Sequence, residues 1–86
     1  MLKIIVQPKA VKELLNIPKK IRLRIVDTIN ELAKLNHPLQ NPKVKRLRGR
    51  KLEEFRLRVG NYRIKFVLAD SQTIKIIHIQ HRQVGY

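Results

Sequence analysis

The segment that most restricts the fold is EFRLRVGNYRIKFVL, residues 54–68. Phe55, Leu57 and Val59 alternate with Arg56 and Arg58. Tyr62, Ile64, Phe66 and Leu68 then alternate with Arg63, Lys65 and Val67. Period-two alternation marks a strand with one buried and one wet face. Gly60-Asn61 stands between the two runs, and both residue types tolerate positive φ, as a two-residue hairpin turn requires. A chain built on this hairpin must supply a second layer to cover the apolar side. The other side carries Arg56, Arg58, Arg63 and Lys65, which repel one another and need a reason to be there.

The flanking segments supply that layer. KIIV at 3–6 is a short β-branched run and reads as a strand. Pro8 suits a first helical position, and Val11, Leu14 and Leu15 recur at helical spacing to about Asn16. Pro18 breaks this helix and starts a second. Its stripe is Ile21, Ile25, Thr28, Ile29, Leu32 and Leu35, and Asn36-His37-Pro38 ends it. Neither helix is stable alone, so the helical hairpin is expected to pack on a sheet. PLQNPK reads as a loop, VKRLRGRK at 44–51 as a weakly alternating strand with a turn at Gly49, ADSQ as a turn and TIKIIHIQ as the last strand. The expected fold is α+β, one domain over residues 1–86: a strand, a helical hairpin, then three or four antiparallel strands, with the cations on the open face. Phe55, Tyr62 and Phe66 are expected in the core, His78 as a core histidine, and His37 as a cap or turn residue.

Charge narrows the function. Twenty Lys and Arg oppose six Asp and Glu, for a net charge of +14. Ten of those cations fall within residues 43–66, offset only by Glu53 and Glu54. Clustered charge of one sign costs stability and points to a polyanionic partner, a nucleic acid or an acidic protein. No apolar run approaches the length of a membrane span, and no helix joins a cationic face to interfacial aromatics. The apolar stretch in MLKIIVQPK is too short for a signal peptide. With cysteine absent, the expected location is the cytoplasm. The three histidines lack metal-ligand spacing, so neither a metal nor another cofactor is expected.

The order of elements, with the FRLRVGNYRIKF block and the ending IQHRQVGY, resembles the RelE/ParE superfamily of type II toxin–antitoxin systems, and within it the RelE branch. The resemblance covers essentially the whole chain. It implies a toxin that cleaves messenger RNA on the ribosome without a metal, silenced by an acidic antitoxin protein. By position it implies a basic pair at Arg56 and Arg58, an arginine after the turn at Arg63, another after the last strand at Arg82, and a stacking tyrosine at Tyr86. The best-known members carry lysines where this chain has Arg56 and Arg58. Arginine stays protonated and is a poor general base.

Metal-free RNA cleavage proceeds by attack of the 2′-hydroxyl on the adjacent phosphorus. It requires a base, charge stabilisation on the phosphorane, and an acid for the leaving 5′-oxygen. Fixed cations meet the second need. Arg63 and Arg82 are the expected phosphate ligands, with Arg56 and Arg58 supporting them. His81 and Lys65 are the candidate proton carriers, histidine because it titrates naturally near neutrality. Tyr86 would stack on a base. Lys45, Arg46, Arg48, Lys51 and Lys65 would line the RNA path. Blander readings remain at each position: a solvated cationic face, or Arg63 paired with Glu53 or Glu54. Two further functions stay open, a gyrase-inhibiting toxin of the ParE type and a catalytically degenerate nucleic-acid-binding protein.

Overall fold

The computed structural model describes residues 1–47 and 53–82. Strand β1 (Lys3–Val6) leads into helices α1 (Pro8–Leu15) and α2 (Lys19–Ala33). Four strands follow: β2 (Val44–Leu47), β3 (Glu54–Val59), β4 (Tyr62–Asp70) and β5 (Thr73–His81). The sheet order is β1-β5-β4-β3-β2. β2 to β5 are antiparallel neighbours, as the alternation implies, while β1 returns beside β5 in parallel. The α+β arrangement is the one expected. The parallel edge strand is a long-range pairing that local pattern cannot reveal. Gly49, Arg48, Arg50, Lys51 and Tyr86 lie outside the described residues.

Proline placement sets the helix starts: Pro8 opens α1 and Pro18 is the N-cap of α2. Ile25, Ile29 and Leu32 of α2 are buried, and Ile21 and Leu35 pack against the same core. From the sheet come Phe55, Leu57, Val59, Ile64, Phe66, Ile74, Ile76 and Ile79. Phe55 and Phe66 stack with centroids 5.4 Å apart, and His37 meets the Phe55 ring edge-on at 6.1 Å. His37 also caps the 3-10 turn over Pro38–Gln40, its Nδ1 accepting from Leu39 N at 3.1 Å while Gln40 Oε1 accepts from His37 N at 3.2 Å. The turn residue expected at His37 is therefore a reciprocal cap.

Two irregularities shape the functional face. In the β3–β4 turn only Gly60 is left-handed (φ 57°), and Asn61 is not. In β5 the pairs Phe66↔Ile76 and Lys65↔His78 leave Ile77 as an unpaired β-bulge. The bulge shifts the parity of everything after it. Ile74, Ile76 and Ile79 are all core residues, spaced two and then three apart. His78 is thereby turned to the Lys65 side of the sheet. The core position expected for it is wrong because a bulge breaks strict alternation.

Past Val6, β1 no longer covers the edge of β5. There Glu13 of α1 takes over, its Oε1 accepting from Ile79 N at 3.1 Å. The same oxygen lies 3.4 Å from His78 Nδ1, which is buried and makes no hydrogen bond.

Candidate nucleic-acid interface

The hairpin register sets cations directly opposite one another. Arg58 faces Arg63 and Arg56 faces Lys65, with Lys45 beyond Arg56 on β2 and His78 beyond Lys65 on β5. Opposed residues on antiparallel strands have Cβ atoms only about 5 Å apart, so like charges there destabilise the sheet. The face is not simply solvated. Arg63 is only 6% exposed, and Val67 on the same face is also 6% exposed. Burial first, and then the charges of Arg56, Arg58 and Arg82, hold the Arg63 pKa below its ordinary value. Arginine remains a cation even so. Three of the arginines expected in the site thus gather around the fourth.

Arg82 reaches this cluster through the bulge. With parity shifted at Ile77, Gln80 pairs with Arg63 and Arg82 follows on the same face. Its N–H donates to Asn61 O at 2.8 Å, which ties it to the hairpin turn. The shift carries His81 the other way. It pairs with Tyr62 and meets that ring edge-on at 5.2 Å, on the face where Tyr62 packs against the core. The structure therefore places Lys65 beside the arginines and His81 across the sheet from them.

Of the other expected RNA contacts, Lys45 lies on the arginine face. Arg46 does not: it pairs with Phe55 in the register, its guanidinium lies 5.7 Å from the Phe55 ring centroid, and Nη2 is 3.2 Å from Glu53 Oε2. Glu53, considered above as a partner for Arg63, thus pairs with Arg46. Arg48, Lys51 and Tyr86 fall outside the described residues.

The structure adds two cations that the sequence reading left out of the site. An open cleft of about 460 Å³ is lined by Arg24, Pro42, Lys43, Lys45, Arg56, Arg58 and Gly60. Arg24 comes from α2, and its Nη1 lies 3.7 Å from where a β-carbon would stand at Gly60. Its position off the apolar stripe showed exposure but not direction.

A family model described as the ParE toxin of the parDE type II toxin–antitoxin system matches residues 4–86. The chain belongs to the RelE/ParE toxin superfamily. It is thus a toxin of a type II toxin–antitoxin system, and its similarity to solved structures is RelE-like. It is 30% identical to a chain of the RelB–RelE antitoxin–toxin complex from Methanococcus jannaschii, with a TM-score of 0.79, over 95% of this chain and 94% of that one. An archaeal RelE–RelB complex from Pyrococcus horikoshii OT3 matches at 25% identity and TM-score 0.77, over 94% of each chain. The RelBE2 toxin–antitoxin complex from Mycobacterium tuberculosis matches at 25% identity and TM-score 0.74, over 94% of this chain and 98% of that one. No curated protein matches the chain. Among the described residues of this RelE/ParE member, no helix is long and apolar enough to cross a membrane.

Proposed function

We propose that this toxin is an endoribonuclease of the RelE type that cuts messenger RNA on the ribosome, with the arginine face as its phosphate site. The observation that carries the reading is Arg63, buried on the sheet and surrounded by Arg56, Arg58 and Arg82. Like charges set this close repel one another, and a bound anion relieves that repulsion. A transferring phosphoryl group, whose oxygens gain charge in the transition state, is stabilised by the cluster, because the donors are already in place. Arg63 and Arg82 hold the scissile phosphate, and Arg56 and Arg58 raise the local potential. The 2′-oxygen forms its bond to phosphorus as the bond to the 5′-oxygen breaks. Lys65, directly across from Arg56, is the proton carrier in this reading, because His81 stands on the helix side. Tyr86 remains the proposed stacking residue.

The partner in this reading is an antitoxin, as in the RelB–RelE complexes that this chain resembles, and the net charge of +14 calls for an acidic one. Its carboxylates would occupy the arginine face and exclude RNA. Replacing Arg56 and Arg58 together by Glu should then weaken the toxin–antitoxin complex, and an unweakened complex would put the antitoxin elsewhere.

The test is messenger-RNA cleavage on purified translating ribosomes by the wild type and by Arg82→Ala. Arg82 is exposed, so its loss leaves the fold intact. Ribosome-dependent cleavage by the wild type and its loss in the variant support the reading. A folded wild type that cuts nothing overturns it. The family model carries the name of ParE, so supercoiling by DNA gyrase belongs in the same experiment. Inhibition of gyrase without RNA cleavage would assign the chain to that activity.

A further inference from the structure

The cleft beside the β3–β4 turn gathers five cations from three parts of the fold: Arg24 from α2, Lys43 and Lys45 from the β2 region, and Arg56 and Arg58 from β3. Among the described residues that line it, none is acidic and none is aromatic. The first absence leaves its charge for an anion from outside. The second removes the stacking platform by which proteins hold bases of single strands. What remains is recognition of charge and of backbone oxygens, with the planar donor forks of three arginines suited to phosphate.

The cleft is continuous with the arginine face. Arg56 and Arg58 line it, and Arg58 stands directly opposite Arg63. Arg58 N also donates to Lys43 O at 3.5 Å, so Lys43 extends the same row one strand further. Two strand spacings, roughly 10 Å, separate the strand of Arg63 from Lys43. That is the scale of one or two nucleotides of an extended strand. Arg24 completes the wall at the turn, its Nη1 3.7 Å from where a β-carbon would stand at Gly60.

We propose that this cleft is a second phosphate site, which holds a backbone phosphate of the same single-stranded RNA one or two nucleotides from the bond aligned at Arg63 and reads no base. The order of the strand rests on the nuclease reading; the presence of the site does not. Arg24 and Lys43 are positioning residues here. They contribute binding and alignment of the strand and touch no reacting atom.

The experiment is binding of a short single-stranded RNA, fully 2′-O-methylated and so uncleavable, followed by fluorescence anisotropy over a series of salt concentrations. Arg24→Ala and Lys43→Ala should each flatten the dependence of log affinity on log salt by about 0.7, the value of one phosphate contact on a single strand. Each should lose about two- to fivefold in affinity, the upper part of the range for an exposed charge pair. Arg24→Glu should lose more, and Lys9→Ala, a cation on α1 away from the cleft, should match the wild type. Thermal unfolding of each variant confirms the fold. The proposal is overturned if Arg24→Ala and Lys43→Ala keep the wild-type slope, or if Lys9→Ala loses as much as they do. It is also overturned if they weaken only the complex with an acidic antitoxin, which would make the cleft a protein-docking site. If the wild type cuts no RNA on ribosomes but Arg24→Ala still flattens the slope, the nuclease reading fails and the cleft stands.

Discussion

Gly60 offers a sharp test of how the arginine face is held. Its φ of 57° lies in the left-handed region. A residue with a β-carbon costs about 1–2 kcal/mol there, since that carbon crowds the following carbonyl. The substitution also stiffens the unfolded chain, which returns about 0.4–1 kcal/mol to the folded state. Steric conflict adds little: the nearest atom to an added β-carbon is Arg24 Nη1 at 3.7 Å, ordinary van der Waals contact. Gly60→Ala should therefore destabilise by about 1 kcal/mol, the difference between these two effects. In a domain of this size that lowers Tm by about 4–8 °C. Gly60→Asn should cost less, because asparagine tolerates this conformation through local hydrogen bonding. Thermal unfolding followed by circular dichroism measures both. An unchanged Tm for Gly60→Ala, or equal losses for Ala and Asn, would refute the reasoning from φ. A much larger loss for both would mean that the contact with Arg24, and not the backbone, governs the turn.

Three further outcomes follow from the packing. Phe66→Ala should cost about 3–5 kcal/mol, because Phe66 is fully buried and stacked on Phe55; urea denaturation would show it as a lower midpoint. Glu13→Ala should cost about 1–3 kcal/mol by leaving the Ile79 N–H without its acceptor, while Glu13→Gln keeps an acceptor and should restore most of the loss. The Asp70 carboxyl sits below its usual pKa, chiefly because it accepts from Gln72 N at 2.8 Å, with Thr73 adding a second hydrogen bond. A depressed folded pKa gives stability that is present above the unfolded value, about 3.9, and lost as pH falls through the folded value. The stability margin of the wild type over Asp70→Ala should therefore shrink below that pH in thermal melts, and a margin that grows on acidification would contradict the assignment.

The hairpin, both helices and the layer arrangement were legible in the sequence because each rests on local periodicity or a proline. α2 ends at Ala33 and not at Asn36, a small difference of the kind fraying ends produce. What could not be read was parity and pairing over distance. TIKIIHIQ looks like an uninterrupted alternation, and counted that way His78 and Arg82 both face the core. The bulge at Ile77 reverses both. It also sends His81 behind the sheet, so the residue type best suited to proton transfer near neutrality stands away from the arginines. Arg24 was invisible for a related reason: a cation off the apolar stripe of α2 points to solvent in any reading, and only the third dimension brings it to the turn.

The self-repulsion that the sequence posed as a puzzle becomes, in the fold, a division of labour among cations of different burial. Arg46, with Glu53 and the Phe55 ring, is satisfied within the chain and steadies the edge strand. Arg24, Lys43 and Lys45 are exposed, so water and salt screen much of their mutual repulsion. Arg63 is not screened in this way. It is buried, and its neighbours Arg56, Arg58 and Arg82 disfavour its charge. A site meant only to bind RNA loosely has no need to bury an arginine, since exposed lysines supply non-specific affinity as well. Burial does help where charge must be met by fixed dipoles and cations with little reorganisation. Arg63→Lys separates the two uses. It keeps the charge but loses the planar fork, and it should leave RNA affinity within a few-fold while depressing cleavage far more. If affinity and cleavage fall together, the buried arginine serves binding alone.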